Sequence, residues 1–207
     1  MKLLAALALI ISCGSPKAPP LAPTPAPAAS VALPAADSPE ASAAFAKADE
    51  ALTQLGGNLR SKLMAALQAG GPAAAVEVCS QVAPGMANEV REQTGVAVGR
   101  ASLRQRSPAI AAPDWVAAWL ALQGEREAEG VQPLHRVDMG EGGPVARVIT
   151  PITVAAPCLA CHGPAEGIDP SVRAVLAERY PDDAATGYQE GDLRGAMWAE
   201  VALAETP

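Results

Sequence analysis

The chain has 207 residues, of which half are hydrophobic, and its 15 Lys and Arg against 22 Asp and Glu give a net charge of −7 at pH 7. This length suits one compact domain with an extension, and the apolar content is sufficient for a core. The negative charge disfavours nucleic acid and anionic lipid as partners. We therefore expect no nucleic-acid function.

The N-terminus predicts export. Lys2 precedes a short apolar stretch that resembles a signal peptide and lacks the roughly 20 residues needed to span a bilayer. Residues 10–13, Ile-Ile-Ser-Cys, match the lipobox of bacterial lipoproteins, which predicts a signal peptide at 1–12 and lipidation of Cys13. The alternative is ordinary secretion with Cys13 free. Gly14 favours the outer membrane, so we expect a lipid-anchored, periplasm-facing protein of the cell envelope.

Residues 13–39 contain mostly Pro, Ala and Ser after the lipidated cysteine. This composition predicts an extended, semi-rigid linker, because it offers few side chains that could build a core. The folded domain is then expected at 40–207, held away from the membrane by the linker.

The domain contains segments with helical and with strand-like spacing. Helices are expected at 39–69 (weakened at Gly56-Gly57), 73–92, 113–129 and 170–179, with a turn at 70–72 between the first two. Strands are expected at 96–103, 134–139, 145–154 and 193–203, the middle two forming a hairpin around the Gly-rich turn 140–143. Helices followed by mostly antiparallel strands predict an α+β fold.

The motif that carries chemistry is Cys158-Leu159-Ala160-Cys161-His162. It matches C-x-x-C-H, the attachment pattern of c-type haem, in which two thiols bind the vinyl groups and the following imidazole becomes the proximal iron ligand. We therefore expect one covalent haem c, bound by Cys158 and Cys161, with His162 on the iron. A zinc site lacks a second ligand pair, and a redox dithiol would follow a strand, whereas Pro157 and Gly163 suggest a loop. A structural disulfide would give His162 no role.

Cys79 remains without a partner once the other cysteines carry lipid and haem. It lies within an expected helix, where a free cysteine usually packs as a small apolar residue. It could also be the sixth ligand of the iron. The residues alone leave this position open between Cys79, His135 and a methionine. The candidate methionines are Met64, Met86, Met139 and Met197.

Four ordered blocks of the chain resemble the PAS-like c-type haem-binding domains, a family first catalogued as a domain of unknown function. These domains occur as small exported proteins and as extracytoplasmic sensor parts of bacterial signalling proteins. The blocks are AVEVCSQVAP at 75–84, TGVAVGRASLR at 94–104, PCLACHG at 157–163, and YPDDAATGY at 180–188 followed by GDLRGA at 191–196. One departure is the segment 147–152, which lacks an expected aromatic residue.

The resemblance implies a PAS-like antiparallel sheet with N-terminal helices and one covalently bound haem. It also implies an unusual axial pair, with His162 on one side of the iron and the thiolate of Cys79 on the other. A thiolate ligand favours ferric iron and lowers the reduction potential.

The expected function is therefore low-potential redox or gas sensing, in which a small gas such as CO or NO displaces Cys79. The alternative is a simple electron-transfer cytochrome of the envelope. An enzyme is not expected, because His135 is the only second histidine available as a distal acid or base. The partner would be a redox protein or a signalling protein.

Overall fold

The computed structural model describes residues 33–107, 111–125 and 127–204, all within the compact unit Val31–Pro207. The expected signal peptide, the lipidation site Cys13 and most of the linker lie outside these residues. No helix in the described part of the chain is both long and apolar enough to cross a membrane.

Two helices open the domain, α1 at Pro39–Gln81 and α2 at Ala83–Thr94. The Ser38 side chain caps the start of α1 by accepting a hydrogen bond from the backbone N–H of Ala41 at 3.1 Å. The expected weak point at Gly56-Gly57 is wrong, because α1 runs through both residues.

The expected break at 70–72 is confirmed in the backbone. Gly70 and Gly71 leave helical geometry, and Gly71 has a φ of 72°, which favours glycine. The single helix expected at 73–92 is wrong, since it is divided at Val82. Pro84 stands at the start of α2, where its missing N–H costs no helical hydrogen bond.

The remaining expected elements follow in the expected order, most with shifted ends, together with one additional short helix. They are β1 (Ala97–Ala101), α3 (Asp114–Gln123), β2 (Leu134–Gly140), β3 (Gly143–Thr153), the additional helix α4 (Leu159–His162), α5 (Pro170–Arg179) and β4 (Leu193–Ala202). The helix expected at 113–129 is shorter because it ends at Gly124. α5 has the expected bounds, and the Asp169 side chain caps its start.

The four strands form one antiparallel sheet in the order β1-β4-β3-β2. One face packs on α1 and α2 through a core that includes Leu52, Leu55, Val90, Val148 and Ala199. The other face packs on α3 through a second cluster formed by Val116, Leu120, Ile149 and Ala196 with Trp115, Trp119 and Trp198. The α+β fold with N-terminal helices and an antiparallel sheet is therefore confirmed.

Candidate haem-binding site

The Cys-x-x-Cys-His motif lies on two successive helical turns. A 3-10 turn at Ala156–Cys158 leads directly into α4, which ends at His162. The expected loop conformation is thus wrong, because Pro157 begins a helical turn here. Since residues three apart on a helix share a face, the turn places the thiols of Cys158 and Cys161 on one side.

His162 is oriented by two hydrogen bonds to the segment that follows α5. Its Nδ1 lies 2.7 Å from the carbonyl oxygen of Ala185, and its own carbonyl oxygen accepts from the backbone N–H of Tyr188 at 2.9 Å. A carbonyl can only accept, so the proton belongs on Nδ1 and the lone pair on Nε2. A backbone carbonyl on the opposite nitrogen is the usual way to orient a metal-binding imidazole.

The surroundings of His162 favour its neutral form. Burial lowers the pKa of His162 from 6.5 to about 3, and the positive charges of Arg106 and Arg194 act in the same direction. The imidazole is therefore uncharged at physiological pH, and an uncharged imidazole is the form that binds a metal ion.

The structure brings Cys79 beside this motif. Val76, one helical turn before Cys79, packs in the same cluster as Cys161. Burial raises the pKa of the Cys161 thiol, Arg106 opposes this, and the nearby Cys79 adds to the rise. Burial also raises the pKa of Cys79, whereas the charges of Arg100 and Arg106 lower it. The three half-buried thiols and His162 thus belong to one neighbourhood.

Cys79 is carried by the part of α1 that follows the Gly70-Gly71 break, residues 72–81, which we call the Cys79 segment. α5 holds this segment in place: Val76 packs against the buried side chains of Ile168, Val172 and Leu176. Arg179 adds an ion pair: its Nε donates a hydrogen bond to Glu77 Oε1 at 2.9 Å, and its Nη2 lies 2.8 Å from the same oxygen. The position of Cys79 therefore depends on the docking of the Cys79 segment.

Arginines from β1 and from the segment after it surround the motif. Arg106 Nη2 donates to the carbonyl oxygen of Cys161 at 2.5 Å, and its Nε pairs with Asp183 at 3.0 Å. Arg104 stacks over the ring of Tyr188 at 3.7 Å. Our sequence analysis missed these residues. The signal was present as three arginines within 100–106 of an acidic chain.

The other candidates for the sixth ligand of the iron, His135 and the four methionines, make different contacts from Cys79. His135 is exposed on β2, where its Nε2 pairs with Asp49 at 3.0 Å and its ring meets Phe45 edge-on. Met64 and Met139 are exposed, Met86 is buried in the core, and Met197 packs against that core. Of the candidates for a sixth ligand, Cys79 is thus the one with evident contacts around the motif.

The fold and site define a class of protein, namely an α+β domain with a Cys-x-x-Cys-His motif on a short helix beside a third thiol. The family model Tll0287-like matches residues 33–202, and the chain belongs to that family. The crystal structure of the cyanobacterial haem protein Tll0287 is similar to this chain. The two share 25% identity with a TM-score of 0.55, covering 82% of this chain and 99% of Tll0287. No curated protein matches the chain. The PAS-like description stays a prediction.

Proposed function

We propose that this chain binds one haem c, attached covalently through Cys158 and Cys161 and held on its iron by His162. The observation that carries the proposal is the hydrogen bond from His162 Nδ1 to Ala185, at 2.7 Å, which leaves Nε2 free for a metal. The similarity to a cyanobacterial haem protein supports the same cofactor. The donor set fits it, since two thiols lie one helical turn apart beside a neutral imidazole.

We further propose Cys79 as the second axial ligand. Burial raises the pKa of Cys79, and the nearby guanidinium groups of Arg100 and Arg106 oppose that rise, so their charges would help to stabilise a thiolate once it binds the iron. Bound haem would supply a redox-active iron whose potential a thiolate lowers. The chain's own contribution is to hold Cys79 in place through a segment that begins at a backbone break, so that the sulfur can leave when the segment undocks.

The function that this arrangement supports best is low-potential redox or gas sensing in the cell envelope, with the lipid at Cys13 as anchor. CO or NO would bind where Cys79 leaves, and the released segment would transmit the change to a signalling partner. We propose no catalytic activity, because His135, the candidate distal acid or base, lies exposed on β2 and pairs there with Asp49 of α1.

An electron-transfer cytochrome is the second candidate, favoured by the net charge of −7, which would attract a basic redox partner. Electron exchange that slows with added salt would favour this candidate, whereas a gas-dependent change of ligation would favour sensing.

Absorption spectra test the proposal. The protein is produced with a haem c maturation system, and oxidised and reduced spectra are recorded for the wild type, Cys79→Ala and the control His135→Ala. We expect covalent haem in all three, with ferric thiolate bands lost only in Cys79→Ala. Unchanged bands in Cys79→Ala would refute the axial pair, and a chain without covalent haem would refute the cofactor.

A further inference from the structure

A cavity of about 210 Å³ opens beside Tyr188, close to the haem motif but separate from it. Its walls include two arginines, Arg104 and Arg194, and three acidic residues, Glu125, Glu127 and Asp192. None of the four residues that we assign to the cofactor lines it. The cavity therefore requires an explanation of its own.

Arg104 leaves one buried hydrogen-bond donor without a partner at this cavity. Arg104 Nη1 donates to the carbonyl oxygen of Thr186 at 2.9 Å, but the buried Nε of Arg104 makes no hydrogen bond. The carboxylate of Glu125 lies 3.5 Å from that nitrogen, which is within ion-pair range but too long for a hydrogen bond. A buried donor without an acceptor is costly, so the site favours a ligand that can supply one.

The acidic residues lie on the same cavity as the arginines. Glu127 and Asp192 are joined by an isolated antiparallel bridge, which fixes their backbones side by side. Glu125 has a side chain that is 63% exposed, so a ligand can displace it at little cost. Opposite charges on one small cavity suit a ligand that carries both a carboxylate and an amino group.

We propose that Arg104 and Arg194 form a carboxylate-binding site in this cavity. The guanidinium carbon of Arg104 lies over the ring of Tyr188, 3.7 Å from its centre, and Arg194 is fixed through its Nη1, which donates to Ser102 Oγ at 2.6 Å. Planar guanidinium groups in fixed positions match a carboxylate. The carboxylate comes from one of two sources, a small free amino acid, which the acidic residues favour, or a propionate of the haem.

Occupation of this site would affect the haem motif through Tyr188. The backbone N–H of Tyr188 donates to the carbonyl oxygen of His162 at 2.9 Å, and the two rings meet edge-on at 6.3 Å. A ligand that moves Arg104 also moves the ring on which Arg104 stacks. If the chain binds haem as proposed, a ligand in this site would therefore act on the proximal side of the haem, whereas a gas would bind on the opposite side.

The test uses the haem-loaded protein, and the absorption spectrum of each variant shows whether haem is present. Calorimetry measures the binding of glycine and of acetate to the wild type, to Arg104→Gln and to the control Arg60→Gln, which removes an exposed arginine from α1. A free amino acid as the source predicts that glycine binds more tightly than acetate. The affinity should fall at least tenfold in Arg104→Gln and stay unchanged in Arg60→Gln.

A haem propionate as the source predicts a different result. In that case neither glycine nor acetate should bind, and the reduction potential should begin to change at a higher pH in Arg104→Gln than in the wild type. The reason is that a propionate without its cation protonates at higher pH. If neither binding nor this pH dependence responds to Arg104, the proposal is overturned.

Glu125→Gln provides a second variant should Arg104→Gln fail to fold, since the side chain of Glu125 is mostly exposed. Removing this competing carboxylate should tighten acetate binding at least threefold. If the source is a propionate, it should instead lower the pH at which the potential changes. No response in either measurement would also overturn the proposal.

Discussion

Weakening the contact between the Cys79 segment and α5 should loosen the Cys79 ligand without disturbing haem attachment. The perturbation is Val76→Ala in the haem-loaded protein. Val76 is 2% exposed and packs against Ile168, Val172 and Leu176 of the region that holds the segment. If the segment undocks about the Gly70-Gly71 break, these contacts are lost, so under the proposed ligation they would stabilise only the state in which Cys79 binds the iron.

The magnitude follows from the two methyl groups removed. Their transfer contributes about 1.6 kcal/mol at roughly 0.8 kcal/mol each, and the small cavity left behind brings the loss to about 2 kcal/mol. Each 1.4 kcal/mol changes an equilibrium tenfold, so the ratio of released to bound Cys79 should rise by about 30-fold. Under the proposed ligation, CO would bind to the reduced protein only when Cys79 is released, and its apparent affinity should rise by up to the same factor.

The assay is a CO titration of the reduced protein followed by absorption. The matched control is Val116→Ala, which removes the same two methyl groups from a fully buried valine on α3, in a cluster that contains no residue of the Cys79 segment. Its stability should fall by a similar amount while its CO affinity stays at the wild-type value. Equal CO affinities in Val76→Ala and the wild type, or an equal rise in both variants, would refute the reasoning.

Three further outcomes are expected. Gly195→Ala should destabilise the loaded protein by at least about 3 kcal/mol in denaturant unfolding, because Gly195 has a φ of 154° and a β-carbon there would lie 2.2 Å from the Ala101 oxygen. Arg106→Gln should cost about 3 kcal/mol in the same assay, since Asp183, whose side chain is 10% exposed, loses its cation. In the chain prepared without haem, the free energy of unfolding should fall as the pH drops from 6.5 towards 3, by at most about 1.4 kcal/mol per pH unit. The reason is that the lowered pKa keeps His162 neutral in the folded chain, whereas the unfolded chain binds the proton.

Each of these outcomes has a control. Gly57→Ala, in open space on helix α1, should stabilise the protein by up to about 1 kcal/mol, so equal effects at both glycines would contradict the steric argument. Arg60→Gln should leave stability within about 0.5 kcal/mol of the wild type. His162→Gln should remove the pH dependence assigned to that residue, and a variant that keeps the full slope would show that other groups cause it.

The features of the fold that the sequence predicted correctly depend on residues that are close together in the chain. The bounds of α5 follow from Asp169 and Pro170, which together begin a helix, and the hairpin of β2 and β3 follows from the glycines at its turn. The length of α1 could not be predicted in this way. Gly56 and Gly57 lower helix propensity, but packing on the sheet overrides the penalty, and Gly56 leaves room there for Met197.

The parts of the site that the sequence could not predict come from distant segments. Arg106 contacts the carbonyl of Cys161 and the side chain of Asp183, and the partner of His162 is the carbonyl of Ala185. No spacing rule connects these positions, because the residues in contact are separated by 23 to 77 positions in the sequence. Pattern reasoning therefore predicts cofactor ligands from their local spacing but misses the surrounding groups that come from distant segments.

The Cys-x-x-Cys-His motif is surrounded by positive charge although the chain as a whole is acidic. A chain of net charge −7 places Arg100, Arg104, Arg106 and Arg194 around one motif, and the charges of three of them lower the pKa of His162. Cations that lie close together repel one another and destabilise a fold unless nearby anions offset the repulsion. A thiolate at Cys79 and a bound carboxylate would each offset part of that repulsion. The arginines thus connect the proposed ligand of the iron to the proposed carboxylate site, and the loss of either anion should weaken the other.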